Sequence, residues 1–433
     1  MKVLVIGKGG REHAICEAFA KSPQVETVYV APGNDGMKNV AELVQLNESD
    51  QAALVEFAKE QHVEWVFVGP EAPLMDGLVD RFTEVGIKAF GPSAKAAIIE
   101  GSKDFAKQLM ANYHIPTAVS QTFTDYDAAK AYIDQQGAPI VLKADGLAAG
   151  KGVIVALTAE EAEEGLRALM LDGHVGEAGR QVVIEEFLEG EEFSLMAFVN
   201  GSFVLPMPIS QDHKRAYDGD KGPNTGGMGA YTPVPQISSA VVETALETIV
   251  YPAAKAMEAE GRSFTGILYA GLILTKEGPK VIEFNARFGD PETQVVLPLL
   301  DTDFVKTLEH VWQKESVELS WDRQAVVGVV AAANGYPGSY EKGHVLTGLE
   351  DVAKDAMVYH AGTKEINGQF VTDGGRVFLA SQKGKTLEEA KQNVYHSLSH
   401  LTCKEVFYRG DIGQKAINLH SVASVAHTHT ERQ

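Results

Sequence analysis

The sequence predicts a multidomain protein that combines α/β and α+β architecture, because its length, its hydrophobic content and its spacing of strands all indicate several packed cores. The chain has 433 residues, more than one hydrophobic core usually serves, so two to four domains are expected. Hydrophobic residues make up 45% of the chain, which is enough to fill such cores. We predict an amino-terminal doubly wound parallel sheet, a central body with a mobile lid, and a small carboxyl-terminal mixed α/β domain.

The first predicted domain, residues 1–101, is expected to be Rossmann-like, because apolar runs alternate with helix-like segments such as 41–61. The apolar runs lie at residues 2–6, 25–30, 63–68 and 87–90. A turn rich in glycine or proline follows each run, at the carboxyl end of the predicted strand, where such sheets bind ligands. These turns span residues 7–10, 31–34, 69–73 and 91–93.

The second predicted domain, residues 102–325, begins with a helix at about 102–113 and continues into a mostly antiparallel lid at about 115–190. Asn200-Gly201 lies between two apolar runs and is a strong hairpin signal. The glycine-rich segment 211–231 has almost no hydrophobic periodicity, and we predict a long functional loop there. Further strands are expected near residues 139–143, 153–156, 182–187 and 193–205.

The third predicted domain, residues 326–425, shows no catalytic constellation. It opens with the buried-strand pattern Ala325–Ala333 and includes an amphipathic helix near Leu387–Leu401.

Composition limits the environment and the partners of the chain. There is no apolar run of the length that spans a membrane, and the amino terminus passes directly into a strand-like segment, so no membrane span and no cleaved signal are expected. The formal charge of -21 disfavours nucleic acid and anionic membranes, because the overall field repels phosphate polymers. Cys16 and Cys403 match neither metal-ligand nor redox spacing and are interpreted as inert thiols of a reducing cytoplasm.

The amino-terminal loop Gly7–Glu12 is similar to a dinucleotide-binding fingerprint but departs from it. Glu12 replaces the third glycine, and no acidic residue follows the second strand at Val30, so a nicotinamide cofactor is not expected. The loop can still bind one phosphate at a helix amino terminus, with Arg11 adding charge. A purely structural tight turn is an equally good interpretation of the local sequence.

A second glycine-rich loop, residues 146–152, follows Lys143 and contains Lys151. Lys143 ends an apolar strand, a costly place for an ammonium group unless a negative partner meets it, and a ligand phosphate is such a partner. The alternative is an edge-strand lysine whose head reaches water. Lys151 is suited to terminal phosphates, but a solvated loop lysine is as good an interpretation.

Two later segments carry oxygen ligands. The run Val183–Glu192 has strand character that leads into a hinge suited to an adenine ring and a ribose, although an acidic turn is the simpler interpretation. Glu283 and Asn285 share one face of a strand, so both can reach one Mg²⁺ ion that bridges phosphate oxygens. Arg287 continues that face and can stabilise a transferring phosphoryl group.

The combination of these segments resembles the ATP-grasp ligases, and most closely the glycinamide ribonucleotide synthetase (phosphoribosylamine-glycine ligase) family, over essentially the full length. Its most specific pieces are two motifs of the 211–231 segment and one that follows the Glu283 strand. These are Gln211-Asp-His-Lys-Arg215, Gly222-Pro-Asn-Thr-Gly-Gly-Met-Gly-Ala-Tyr231 and Asn285-Ala-Arg-Phe-Gly-Asp-Pro-Glu-Thr293.

The resemblance implies an ATP-dependent, ADP-forming enzyme. ATP would phosphorylate the carboxylate of glycine, and the amine of 5-phosphoribosylamine would then displace phosphate, the second step of de novo purine synthesis. The expected metal is Mg²⁺ or Mn²⁺, the expected compartment is the cytoplasm, and a monomer is expected, with a dimer as the alternative.

The resemblance also implies roles for residues. Lys143, Arg287 and Asp212 are the expected catalytic residues, and Glu283 with Asn285 is the expected metal site. The expected ATP-binding residues are Lys103, Lys143, Lys151, Glu185, Glu186, Leu188 and Glu192. The expected residues for phosphoribosylamine and glycine are Gly9, Gly10, Arg11, Asp212, Gly226, Gly227, Asp290 and Glu292.

One departure from the family pattern concerns the metal. Many ATP-grasp enzymes place a second metal-binding carboxylate on the strand before the Glu-x-Asn strand, but Gly266–Thr275 contains no acid, so a second metal site stays open. The alternatives are another ATP-grasp carboxylate ligase with a different acceptor, which segment 211–231 would distinguish, and an ATP-sensing protein without turnover.

Overall fold

The computed structural model describes residues 1–148 and 152–419, so the predicted phosphate-binding residue Lys151 lies outside the described residues. The helices of these two ranges all fall short of the length and apolar content that a membrane span requires. The described chain forms four larger sheets and two short two-stranded ribbons.

The amino-terminal region alternates strands and helices. Its five strands form a parallel sheet in the order β3-β2-β1-β4-β5, which confirms the predicted parallel sheet. The elements are β1 (Lys2–Gly7), α1 (Gly10–Ala20), β2 (Thr27–Pro32), β3 (Glu42–Leu43), α2 (Gln51–Glu60), β4 (Trp65–Val68), α3 (Glu71–Met75), α4 (Leu78–Glu84), β5 (Lys88–Phe90) and α5 (Ala94–Gly101).

The lid is a four-stranded antiparallel sheet with two helices, in the strand order β6-β9-β7-β8. Helix α6 precedes it, and the side chain of Ser102 caps that helix by accepting from the amide of Phe105. The elements are α6 (Lys103–Asn112), β6 (Ser120–Phe123), α7 (Tyr126–Gln136), β7 (Ile140–Ala144), β8 (Val153–Ala156), α8 (Ala159–Met170) and β9 (Val182–Glu186).

The central body contains a second antiparallel sheet, in the order β11-β10-β16-β17, with the predicted hairpin turn after Asn200. Strand β17 carries Glu283 and Asn285. The elements are β10 (Glu191–Asn200), β11 (Phe203–Pro206), β12 (Gln211–Asp212), β13 (Arg215–Tyr217), β14 (Lys221–Asn224), β15 (Gly229–Thr232), α9 (Ser239–Ala245), α10 (Tyr251–Ala259), β16 (Thr265–Thr275), β17 (Gly278–Asn285), α11 (Thr293–Val296) and α12 (Phe304–Gln313).

The last region forms a sheet in the order β12-β15-β18-β22-β19, to which β23 adds at β18. Two of its strands, β12 and β15, come from the central region, so the sheet joins both parts of the chain. The remaining elements are β18 (Ala325–Ala333), α13 (Leu349–Asp355), β19 (Met357–His360), β20 (Thr363–Ile366), β21 (Gln369–Thr372), β22 (Arg376–Gly384), α14 (Leu387–Leu398) and β23 (Val406–Phe407).

Two expectations about local structure are wrong. Segment 41–61 is a helix only in its second half, because Asp50 caps a helix that begins at Gln51 by accepting from the amide of Ala53. Segment 211–231 is not a long loop, since it contributes four short strands. Its last strand runs antiparallel to β18, where Tyr231 pairs with Val327. The segment forms this strand without hydrophobic periodicity because its partner lies far away in the chain.

A buried aromatic cluster fixes the amino-terminal sheet against the central body. Phe67 of β4 stacks on Phe90 and on Phe288, with ring centroids 5.5 and 5.7 Å apart. Phe198 of β10 meets Phe288 at 6.3 Å. Because Phe288 lies in the loop after β17, this packing brings that loop to the carboxyl edge of the parallel sheet.

Candidate active site

The centre of the site is Lys143, which lies on lid strand β7 with only 5% of its surface exposed. Its ammonium group contacts Glu185 Oε2 at 3.1 Å and donates to the carbonyl of Ile282 at 3.0 Å. The negative partner that its buried position requires is therefore a carboxylate of the neighbouring strand β9. The bond to Ile282 places this lysine beside Glu283 on the facing sheet.

Lys103 lies at the first turn of α6 and faces the glycine-rich loop of the lid. Its ammonium group donates to the carbonyl of Gly146 at 3.0 Å, and its backbone amide donates to Asp145 Oδ1 at 2.6 Å. Burial lowers the pKa of Lys103. The structure thus brings Lys103 to the same loop that follows Lys143.

The residues predicted for adenine and ribose lie where the lid joins the central body. Glu186 ends strand β9, and its carboxylate accepts from the amide of Val119 at 2.9 Å. Leu188 is half-buried in the connection to β10, and Glu192 is the second residue of that strand. Their use by adenine and ribose stays a prediction.

Glu283 and Asn285 lie on strand β17 and project to the same face, because side chains two apart on a strand do so. Burial opposes ionisation of Glu283, but Lys214 and Lys143 lower its pKa, so it is a carboxylate at neutral pH. The Asn285 side chain is 9% exposed, and none of the hydrogen bonds among residues 1–148 and 152–419 involves its amide. A charged oxygen and an unused amide oxygen on one face fit a Mg²⁺ or Mn²⁺ ion.

The described residues contain no group of three His, Cys, Asp or Glu side chains that could hold a metal. A metal bound to phosphate needs only one or two protein ligands, so the pair on β17 suffices for such an ion. Strand β16 supplies no carboxylate beside it.

Lys214 connects the β17 pair to Asp212. Its ammonium group lies 3.8 Å from Glu283 Oε1 and 4.0 Å from Asp212 Oδ2. The carboxylate of Asp212 raises the pKa of Lys214, and that of Glu283 adds to the effect. The resemblance did not assign a role to Lys214, although it stands inside the Gln211–Arg215 motif.

Glu292 is a buried carboxylate beside Asp212. Burial and, after it, the charge of Asp212 together raise the pKa of Glu292 to about 7. Its Oε1 accepts from the hydroxyl of Tyr269 at 2.8 Å, and that hydroxyl also meets Ser194 Oγ at 2.8 Å. A group that titrates near neutral pH can exchange a proton with a bound amine.

Arg287 leaves strand β17 and reaches two carboxylates. Its Nη2 lies 3.0 Å from Glu100 Oε1, and its Nε lies 3.3 Å from Glu71 Oε2. Burial disfavours its charge, but Glu100 and Glu71 raise the pKa of Arg287. Since Glu71 is the first residue of α3, which follows β4, the arginine connects the end of strand β17 to the amino-terminal region.

Arg11 meets Arg287 at one backbone carbonyl. Both guanidinium groups donate from Nη1 to the carbonyl of Phe288 at 3.2 Å. Burial opposes the charge of Arg11, yet Glu12 and Asp290 raise its pKa. A Cβ added to Gly9 would lie 3.4 Å from Asp290 Oδ2, so the amino-terminal loop closely approaches the loop after β17.

Gly226 and Gly227 approach the same loop through Arg376 of strand β22. Its Nη1 donates to the carbonyls of Gly226 at 2.9 Å and of Asp290 at 3.0 Å. Gly227 has φ +121°, and a Cβ there would lie 2.4 Å from Pro291 Cδ. The last domain therefore holds two predicted substrate loops together.

The structure describes nothing of Lys151. At the candidate site, contacts join Lys143 of the lid to strand β17, and Arg287 beyond that strand to the carbonyl that Arg11 also binds. Sequence reasoning missed the charged partners that complete this site. Lys214 stands within the Gln211–Arg215 motif, Glu71 within the predicted turn 69–73, and Arg376 in the third predicted domain, which shows no catalytic constellation. Their roles depend on contacts between residues far apart in the chain.

Two antiparallel sheets that face each other across a strip of lysines and carboxylates define the ATP-grasp class. The comparison with family models agrees and narrows the assignment. Residues 101–293 match the family described as "Phosphoribosylglycinamide synthetase, ATP-grasp (A) domain", residues 1–100 match its N domain, and residues 326–415 match its C domain. The chain belongs to the phosphoribosylglycinamide synthetase family.

Individual relatives support this membership. The chain is 58% identical over 424 residues to the phosphoribosylamine-glycine ligase of Halalkalibacterium halodurans, covering 98% of this chain and 99% of that one. It is 59% identical over 419 residues to a protein of the same name from Listeria monocytogenes, covering 96% and 100%.

Solved structures show the same fold. The phosphoribosylamine-glycine ligase of Thermotoga maritima superposes with a TM-score of 0.83 at 35% identity, covering 95% of this chain and 100% of that one. The biotin carboxylase domain of the Hydrogenobacter thermophilus 2-oxoglutarate carboxylase, solved with MgADP, has a TM-score of 0.72 at 16% identity, covering 94% and 91%. The second likeness concerns the fold alone.

Proposed function

We propose that the site joins glycine to 5-phosphoribosylamine with consumption of ATP, forming glycinamide ribonucleotide, ADP and phosphate in the second step of de novo purine synthesis. One observation supports it most strongly. Lys143 of the lid contacts the carbonyl of Ile282 on the strand that holds Glu283 and Asn285, and this strand leads into Arg287 and the amino-terminal Arg11 loop. These contacts connect the regions that we propose bind the nucleotide, the metal and the acceptor.

The chemistry requires activation of a carboxylate. The oxide leaving group of a carboxylate is strongly basic, so an amine does not displace it readily. Transfer of the γ-phosphoryl group of ATP to a glycine carboxylate oxygen gives glycyl phosphate, from which the amine can displace phosphate. The new C–N bond forms as the C–O bond to phosphate breaks, and the amine gives up one proton.

The proposed ATP site uses Lys143, Lys103 and Lys151 for the phosphates. Among the described residues the ammonium group of Lys143 contacts Glu185 and the carbonyl of Ile282, and an incoming phosphate would compete with Glu185 for it. Glu185, Glu186 and Leu188 would border the adenine, and Glu192 would accept from the ribose hydroxyls.

Glu283 and Asn285 would hold Mg²⁺ or Mn²⁺, which when bound neutralises charge on the ATP phosphates. Arg287 would stabilise negative charge on the transferring phosphoryl group. Its two carboxylate partners fix the guanidinium in advance, so little reorganisation is needed during transfer.

The proposed acceptor site lies on the amino-terminal side. The amides of Gly9 and Gly10 at the start of α1, with Arg11 beside them, suit the phosphate of phosphoribosylamine. Asp212 and Glu292 would accept hydrogen bonds from the amino groups, and Glu292 can take a proton because its pKa is about 7. Gly226, Gly227 and Asp290 would close the site.

We further propose that the protein acts on these small molecules in the cytoplasm as a monomer, with domain divisions near residues 101 and 325. The name of the relatives, phosphoribosylamine-glycine ligase, favours phosphoribosylamine over the acceptors of other ATP-grasp enzymes. The ionised carboxylate of Glu283 and the charged Arg287 favour turnover over mere ATP sensing.

The test is ADP release with Mg²⁺-ATP while glycine and phosphoribosylamine are omitted in turn, with the product identified by its mass. ADP formation that requires both, together with the mass of glycinamide ribonucleotide, is the expected result. ADP formation with glycine and a different amine would show that the acceptor is not phosphoribosylamine. If no carboxylate stimulates ADP release, the proposal is overturned.

A further inference from the structure

Lys107 is a buried lysine of helix α6 that the proposed chemistry does not use. It is 8% exposed and lies beside Glu185, which is 4% exposed. Its ammonium group contacts Glu185 Oε1 at 3.2 Å, Thr117 Oγ1 at 2.8 Å and the carbonyl of Ala118 at 3.2 Å. Three acceptors match its three donors, so Lys107 has no donor left for a ligand.

Glu185 therefore lies between two lysines. Its Oε1 faces Lys107 and its Oε2 faces Lys143, at 3.2 and 3.1 Å. Burial lowers the pKa of Lys107 to about 8, while Glu185 opposes that decrease. A buried carboxylate with a single cation holds that cation tightly, and a second cation weakens this hold.

The acceptors of Lys107 belong to the connection between the central body and the lid. Residues 116–119 form this connecting segment. Thr117 donates to the carbonyl of Val281 at 2.7 Å, and Val281 donates to the carbonyl of Pro116 at 2.9 Å. Lys107 is thus fixed to the start of the lid and, through Thr117, to the strand that carries the metal pair.

We propose that Lys107 is a positioning residue that holds Glu185 in place and balances its charge, so that Lys143 can leave Glu185 for the phosphates of ATP. Without Lys107, the carboxylate would retain Lys143 as its only cation. ATP would then have to compete with Glu185 for that lysine. The inference rests on the proposed use of ATP at this site.

The primary experiment measures the dissociation constant of Mg²⁺-ATP by calorimetry, and the KM for ATP and kcat, in Lys107→Met. We expect the dissociation constant and the KM for ATP to rise by about tenfold, while kcat stays within about twofold of that of the unaltered protein. Lys107→Arg retains the charge and should restore most of the affinity. Lys130→Met, at a partly exposed lysine of α7 paired with Asp134, is the matched control and should bind ATP normally.

A double-mutant cycle distinguishes action through Glu185 from direct action on ATP. In a Glu185→Gln background, Lys107→Met should change the ATP dissociation constant by less than about threefold. An equal loss in both backgrounds would overturn the inference, as would a fall in kcat with unchanged ATP binding.

If Lys107→Met does not fold, Thr117→Val removes one acceptor of Lys107 and should weaken ATP binding by about threefold. Unchanged ATP binding in Thr117→Val would also overturn the inference.

The two proposals fail in different ways. Absence of ATP binding by the unaltered protein would contradict the proposed function. Normal ATP binding by a folded Lys107→Met would contradict only the role of Lys107.

Discussion

Glu283 is the residue on which the metal assignment depends most. Its carboxylate faces Lys214 and shares a strand face with the unused amide of Asn285. We expect Glu283→Gln to keep the fold and to lower kcat by at least about 100-fold, because a neutral amide replaces the one charged metal ligand. Steady-state turnover and thermal unfolding measure the two effects.

The matched control lies in the turn that precedes the same strand. Glu277 is exposed and pairs with Lys280 at 2.6 Å. Glu277→Gln should retain kcat within about twofold. Equal activity of the two variants would remove Glu283 from the metal site.

Arg376 is the residue through which the last domain contacts two loops that we propose bind substrate. It donates to the carbonyls of Gly226 and Asp290. We expect Arg376→Met to lower kcat/KM for phosphoribosylamine by about tenfold or more while ATP binding stays normal, because the two loops lose their common donor. Arg323→Met, at an exposed position before β18, is the control. An equal loss in ATP binding would show that Arg376 acts on the whole cleft.

Elements whose hydrogen bonds are local could be predicted from the sequence, whereas elements that depend on distant partners could not. Strands such as Val153–Ala156 and helix Leu387–Leu398 follow their own apolar pattern. Strand Gly229–Thr232 instead exists because it pairs with Val326–Val329, almost a hundred residues later. The same reason explains why Lys143 and Glu283 were predicted but Lys107 and Arg376 were not.

The loop before that strand supplies a prediction at the scale of one element. A Cβ at Gly227 would overlap Pro291, whereas a Cβ at Gly86 meets nothing within 4 Å, although both glycines have positive φ. Gly227→Ala should therefore lower thermal stability by more than Gly86→Ala, and it should also reduce turnover. Equal melting temperatures and normal turnover in both variants would contradict the close approach of the two loops.

At the scale of the whole molecule, the first and last domains meet through two buried histidines. The amide of His360 donates to His13 Nδ1 at 2.8 Å. Burial lowers the pKa of His13 to about 3, with His360 adding to the effect, and burial lowers that of His360 to about 4. Both are neutral in the folded protein and have a pKa near 6.5 when unfolded.

This contact predicts a loss of stability in acid. The unfolded chain gains protons first, so stability is full above about pH 6.5 and decreases as the pH falls towards 4 and 3. At pH 5 the loss is about 2 kcal/mol for each histidine. The free energy of unfolding, measured with urea between pH 8 and pH 5, should change less with pH in His13→Gln than in His174→Gln, an exposed control. Identical dependence would contradict the buried neutral pair.

The central claim is that this cleft transfers phosphate from ATP to the glycine carboxylate before the amide forms. The most direct measurement uses glycine with both carboxylate oxygens labelled with ¹⁸O, and follows the label by mass in the released phosphate. Glycyl phosphate requires one labelled oxygen in each phosphate, since the bridging oxygen leaves with it, and one in the amide of the product. Unlabelled phosphate would contradict the claim.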